Sequence, residues 1–487
     1  MRSPRAAVVG LLALMLAGCG ASGPAPGSSI AATFGDPDGD AALNREPGEP
    51  ITDRTELAPR RPVGRPLALF SQITDAHVRD EESPARLAVL DRIGPPFEAS
   101  FRPQEALTPQ VLTAAVRSLN ALRPQAVVVT GDLVDNAQSN ELDQALSVLR
   151  GGRVDPGSGR RAYSGPQGAD QADPLFYRPD VDAPRYPGLL RRAERPFTSP
   201  GLGAPWYPVT GNHDILTQGV ARPTPRTNAA ARGGRMLTEL DRRLREELPR
   251  NEAQLTPKLV DRALAGGLPG RTQRVPPDPR RRQVSVGELT RRLRAASGHG
   301  SPGPRLDYGF DIGPDVHAIA LDVVRRDAGS TGQVAPEQAA FLRRELARAG
   351  RRWVVVLSHQ ALTSSAGGER LLEILDRHPR IAAVVSGHSH RNAIAPRRSS
   401  AGGYWVVSTA SLADYPEQAR AFRLVATTGG GAALETWMVN GSGEPLADVS
   451  RELSYVDAQG GRPHNATGGR GDRNVRLFLP PPRRGSG

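Results

Sequence analysis

The tightest constraint on this chain is a recurring pairing: a short apolar run, rich in Val, Ala and Leu, stops at a turn carrying Asp, Asn or His. The runs lie at 67–74, 126–130, 206–210, 353–357 and 381–385. Runs this short and this continuously apolar read as strands buried on both faces. Between them, apolar residues recur at helical spacing over 108–121, 138–150, 335–349 and 368–377. Thr108 followed by Pro109 marks one helix start. Further strands are expected at 316–323, 403–409, 420–426 and 433–439, which makes the end of the chain β-rich. This alternation calls for layered α/β packing and excludes a helical bundle or a repeat array.

The turns that end the five runs carry the chemistry. They read Asp75-Ala76-His77, Gly131-Asp132-Leu133-Val134-Asp135, Gly211-Asn212-His213-Asp214, Ser358-His359 and Gly387-His388-Ser389-His390. Five of the nine histidines fall inside them. Residues i and i+2 of an extended segment point the same way, so Asp75 with His77, or His388 with His390, can grip one ion together. Strand ends of open α/β sheets border the crevice where ligands bind. Mixed carboxylate, imidazole and amide donors suit Mn, Fe or Zn better than calcium. A single Asp-x-His or Gly-Asp carries little weight. The ordered set, each member behind a strand, carries much more.

At these motifs the sequence resembles the calcineurin-like metallophosphoesterase superfamily, over roughly residues 63–440. The resemblance implies a four-layer αββα sandwich of two mixed β-sheets flanked by helices, with loop and helix insertions. It implies two divalent or trivalent ions (Mn, Fe or Zn). Asp75, His77, Asp132 and His390 would bind one; Asp132, Asn212, His359 and His388 would bind the other. His213 would be the catalytic histidine, and Asp135 would orient it. Asp214 has no ligand role in this mapping and is expected to serve a cap or turn. The implied reaction is hydrolysis of a phosphate ester. The Gly387–His390 ending is similar to class III cyclic-nucleotide phosphodiesterases and related bacterial enzymes, which favours diesters over a phosphomonoesterase or nucleotidase. A catalytically silent surface binding protein is the competing class, but such a site would normally lose ligands, and every mapped residue is present.

The N-terminus points outward from the cell. Arg2 and Arg5 precede an apolar run at 6–18, too short to span a bilayer comfortably, and Leu16-Ala17-Gly18-Cys19 matches a bacterial lipoprotein box. Cys19 is the only cysteine, so no intrachain disulfide is possible. The resulting expectation is an exported bacterial lipoprotein. It has a signal peptide at 1–19, a flexible tether at 20–62 and a metallophosphoesterase domain at 63–440. A C-terminal tail follows at 441–487, low in complexity apart from a short helix-like piece at 446–457. It would sit on the extracytoplasmic face of the membrane, held by lipid at Cys19, with secretion as the alternative.

Two segments break the α/β rhythm, at 151–204 and 215–303, and read as insertions. The first carries Phe176, Tyr177 and Tyr186, either substrate contacts or packing residues. The second is expected to hold two charged helices near 235–247 and 286–296. The net charge of +12 comes from scattered arginine, Lys258 being the only lysine. That distribution indicates a solvated basic surface, and no specific nucleic-acid or protein partner is expected.

Overall fold

A computed structural model describes residues 27–93, 100–160, 162–240, 270–462 and 465–482. The expected signal peptide and Cys19 lie outside the described residues. Two mixed sheets form the body. In the seven-stranded sheet the order is Thr52–Arg54, Val475–Leu479, Ala432–Asn440, Gln418–Thr427, Val63–Ile73, Ala126–Thr130, Trp206–Val209. The last three of these run parallel to one another. In the six-stranded sheet the order is Tyr308–Ile312, Val316–Leu321, Trp353–Ser358, Ile381–Ser386, Tyr404–Ser408, Ala393–Arg397, and the four central strands are parallel.

The sequence alternation of the second sheet shows how the layers stack. Val355 and Leu357 face a core shared with the first sheet, whereas Val354 and Val356 pack under helices Gln338–Ala349 and Gly368–Leu375. Helices Thr108–Leu122 and Ser139–Arg150 bury Leu112, Leu119, Leu142 and Leu149 in the same apolar cluster, which takes in successive residues Val127, Val128 and Val129 and so spans both faces of the first sheet. Buried Gln72 ties the sheets together, donating to the Ser386 carbonyl at 3.2 Å and accepting from Thr409 Oγ1 at 2.6 Å. The result is the two-sheet, helix-flanked sandwich that the sequence implied.

The expected borders of the domain need correction. Residues 20–62 and 441–487 read as tether and tail, yet Thr52–Arg54 pairs in parallel with Val475–Leu479, and both extend the first sheet. The tail strand Val-Arg-Leu-Phe-Leu buries Val475, Leu477 and Phe478. Its approach also satisfies Arg420, a fully buried side chain that donates to the Asp472 carbonyl at 2.8 Å. Helix Pro445–Gln459 covers the expected 446–457 piece and buries Leu453 beside Leu189 and Leu190 of the first insertion.

The second insertion differs as well. Its expected helix near 235–247 is, in its described part, the strand Arg235–Leu240, paired antiparallel with Gly270–Arg274. Pairing buries Met236, Leu237 and Leu240, and that tertiary gain overrides the local helical preference. The other expected helix is present as Val286–Ser297, capped by Ser285.

Candidate metal centre

The side chains of the five motifs converge because the strands do. Asp75, Asp132 and Asn212 follow three adjacent parallel strands of the first sheet. His359, His388 and His390 follow two adjacent parallel strands of the second. Turning straight off a strand end puts the ligand backbone in unusual conformations. Asp75, His77, Asp132, His388 and His390 have φ of 51°, 42°, 47°, 66° and 53°, the left-handed region that non-glycine residues avoid. Such strain persists only where surrounding bonds over-determine it, and it clusters at functional sites. Here Asp75 N–H donates to the Gly131 carbonyl at 3.1 Å and His77 N–H to the Asp132 carbonyl at 3.0 Å. The His388 N–H donates to the Asp75 carboxylate at 3.1 Å. Gly211 is obligatory in this packing: a Cβ there would lie 2.1 Å from the Asp132 nitrogen.

Among the described residues three groups have donor atoms within 4.8 Å of one another: Asp75–His77–His390, Asp132–His359–His388 and His77–Asp135–His213, of which the first two match the expected ligand sets. In the first, the Nε2 atoms of His77 and His390 face each other at 3.2 Å, and His390 Nε2 lies 3.3 Å from Asp75 Oδ1. In the second, His359 Nε2 lies 3.1 Å from both Asp132 Oδ2 and Asn212 Oδ1. Asp132 Oδ2 also lies 3.8 Å from His77 Nε2, so this one carboxylate reaches both sets.

The chemistry of the facing imidazoles decides what belongs between them. His77 Nδ1 is bonded to the Asp135 carboxylate at 3.0 Å, and His390 Nδ1 to the Asp414 carboxylate at 2.5 Å. A carboxylate only accepts, so both Nδ1 atoms carry a hydrogen, and in the neutral imidazoles both Nε2 atoms would present lone pairs. Two lone pairs at 3.2 Å repel unless a cation, proton or metal, lies between them. Burial pushes His77 down to about 4. Burial also opposes charge on His390, but Asp414 and Asp75 raise it to about 10. In the second set burial and the neighbouring His359 push His388 down to about 3. Burial opposes charge on His359, but Asp132, Asp75 and the Thr130 carbonyl together raise it to about 9. Buried N and O donors with this arrangement fit first-row divalent or trivalent ions.

His213 stands at the rim, with 24% of its side chain exposed. Its Nδ1 donates to the backbone carbonyl of Asp135 at 2.7 Å, which leaves Nε2 free. Burial disfavours its charged form, yet Asp132 and Asp135 hold its pKa above the usual value. The expected role of Asp135 shifts. Its carboxylate lies 3.5 Å from His213 Nδ1 but binds His77 Nδ1 at 3.0 Å and Arg79 Nη2 at 2.6 Å. The carboxylate therefore positions a ligand of the first set, and the carbonyl of the same residue positions His213. Asp214 caps the turn as expected, accepting from Val134 N–H at 3.0 Å and Gly211 N–H at 2.8 Å.

Several residues that hold the cluster in place escaped the sequence reading. Asp414 orients His390 from 24 residues away. Gln360 donates to Asn212 Oδ1 at 3.0 Å, and the Gly219 carbonyl accepts from Asn212 Nδ2 at 3.1 Å, which turns the amide oxygen toward His359. Gly219 has φ of 68°, and a Cβ there would press on His213 Nε2 at 2.3 Å. A glycine seven residues past Asn212 was the only sequence signal for it. The aromatics of the first insertion are used in packing: Phe176 stacks edge-on against Phe101, Tyr177 donates to the Pro184 carbonyl, and Tyr186 donates to Glu452. Of the remaining histidines, His317 is held between Asp311 and Glu345, His299 stacks on Tyr207, and His378 accepts from the Arg380 N–H. His464 lies outside the described residues.

No protein-family model matches the chain, and no curated protein does. Among solved structures the chain is similar to a dimetal phosphatase from Danio rerio, at 13% identity and a TM-score of 0.40, over 78% of this chain and 100% of that one. A likeness of that size decides nothing about activity; the strand ends and their side chains carry the weight.

Proposed function

We propose that the protein is a dinuclear-metal phosphoesterase that hydrolyses phosphate esters, with phosphodiesters preferred. The observation that carries this reading is the pair of Nε2 atoms facing each other at 3.2 Å beside Asp75, next to a second ligand set reached by the same Asp132 carboxylate. Asp75, His77, Asp132 and His390 would hold one ion, and Asp132, Asn212, His359 and His388 the other. When bound, two such ions polarise the phosphoryl group and make water a nucleophile at neutral pH.

The chain's own residues supply the rest. Asp132 is buried between the two sets, and the surrounding imidazoles keep it ionised. His213, raised in pKa and free at Nε2, can donate a proton to the departing oxygen. Gly219 keeps that nitrogen clear of side-chain bulk. The preference for diesters rests on the Gly387–His390 ending.

The deciding experiment is metal loading of the full chain followed by turnover of chromogenic mono- and diesters. Wild type should bind two ions and hydrolyse the diester faster. Absence of bound metal, or metal without turnover of either ester, sinks the reading. The proposed setting is the outer face of the membrane, with lipid on Cys19. Wild type should enter the detergent phase and Cys19→Ser the aqueous phase; wild type in the aqueous phase ends the anchor.

A further inference from the structure

Behind the Asp75–His77–His390 set lies a buried ionic network of which the five motifs contain only Asp135. Arg79 Nη2 binds Asp135 Oδ1 at 2.6 Å, and Asp135 binds His77. Arg102 Nε binds Asp414 Oδ1 at 2.5 Å, and Asp414 binds His390. Glu105 joins these two chains: its Oε2 accepts from Arg79 Nη1 at 2.9 Å, from the Arg102 backbone N–H at 3.0 Å and from Arg86. All six charged groups are nearly inaccessible, Glu105 at 0% and Arg102, the most exposed, at 4%. Three arginines meet three carboxylates, so the network is neutral as a unit. Each histidine thus ends a series of imidazole, carboxylate and guanidinium, and the two series share one glutamate.

Among the described residues nothing comparable backs the other set. His359 Nδ1 donates to the Thr130 carbonyl at 2.8 Å, and Asn212 is held by the Gly219 carbonyl and Gln360. These partners are all neutral.

We propose that Arg79, Arg102, Glu105 and Asp414 form a positioning clasp that sets the metal affinity of the Asp75–His77–His390 half alone. The inference rests on the metal centre proposed above and adds to it residues outside the mapped ligands. A carboxylate on Nδ1 fixes the tautomer, aims Nε2 and makes the imidazole a better donor. The guanidinium fixes the carboxylate in turn through a charge-assisted bond. Sharing Glu105 couples the two histidines, so one lesion at the hub loosens both.

The test is isothermal titration of the full chain with Mn2+, paired with metal content after dialysis and a thermal melt. Wild type should take up two ions. Asp414→Asn and Glu105→Gln should each weaken one of the two by about 10–100-fold, and leave the other within about twofold. Paired backgrounds identify the ion. In His388→Ala, which keeps the first half, adding Asp414→Asn should weaken the ion that remains. In His77→Ala, which keeps the second half, the same addition should change nothing. Arg102→Lys retains a cation and should fall between wild type and Asp414→Asn. It also serves if Glu105→Gln fails to fold. Equal loss of both ions, or unchanged affinity in a folded Asp414→Asn protein, overturns the clasp while leaving the centre intact. A wild type that binds no metal overturns the centre and the clasp together.

Discussion

The two halves of the centre hold similar ligands by different physical means. One half is braced by buried charge, with Asp135 and Asp414 on its histidines and Arg79 and Arg102 behind them. The other is braced by the backbone: the Thr130 carbonyl on His359 and the Gly219 carbonyl on Asn212. Backbone bracing follows from strand pairing itself, because Thr130 ends a strand that the fold requires anyway. Charge bracing requires several ions to leave water together, and is stable only if all find partners. The comparison teaches that a site of nearly symmetric ligands can be asymmetric in robustness. The braced half should be sensitive to distant substitutions and the other half indifferent to them.

Asp132 belongs to both halves, so its loss should give the largest effect. Asp132→Asn should abolish turnover and lower the affinity for both ions, read by metal content and activity together. Loss of only one ion would show that the halves do not share this carboxylate. His213 belongs to neither half. His213→Ala should keep two ions while kcat falls by about 10²–10⁴-fold, as expected for a lost general acid. The fall should shrink for esters with good leaving groups, which need little protonation. Metal loss in His213→Ala would place it among the ligands and break the division.

Asp135 sharpens the division, because its carboxylate favours His77 over His213. Asp135→Asn should weaken one ion by about 10–100-fold, with Arg79 left partly unpaired. Stability should fall by up to about 3–5 kcal/mol, the range for breaking a buried ion pair. If Asp135→Asn instead keeps both ions and reproduces the leaving-group pattern of His213→Ala, the carboxylate serves the proton donor.

The same contrast explains what the sequence disclosed. Ligands at strand ends were legible because an apolar run followed by Asp or His is a local pattern, and residues 75, 132, 212, 359, 388 and 390 all lie within a few positions of their strand. The backbone-braced half is therefore nearly complete in the motifs. The clasp was illegible because its pairs are remote: Arg102 meets Asp414 across 312 residues, and no periodicity links them. The tail strand Val475–Leu479 was hidden for a similar reason. Five residues between Pro- and Gly-rich stretches do not announce a strand until Ala432–Asn440 offers them an edge.

The smallest predicted effect tests the indifferent half directly. Gln360 Nε2 donates to Asn212 Oδ1 at 3.0 Å and to the Ser330 carbonyl at 3.0 Å, both neutral acceptors. A neutral hydrogen bond contributes about 0.5–1.5 kcal/mol net. Asn212 would also keep its bond to Gly219, which still turns its oxygen toward His359. Gln360→Ala should therefore weaken one ion by no more than about tenfold, and should leave the Asp75–His77–His390 ion untouched. The measurement is the same Mn2+ titration, repeated in the His77→Ala background, where only the affected ion remains. An effect in that background as large as that of Asp414→Asn on the braced half would mean that neutral contacts position ligands as strongly as the ionic clasp. The asymmetry between the halves would then have no physical basis.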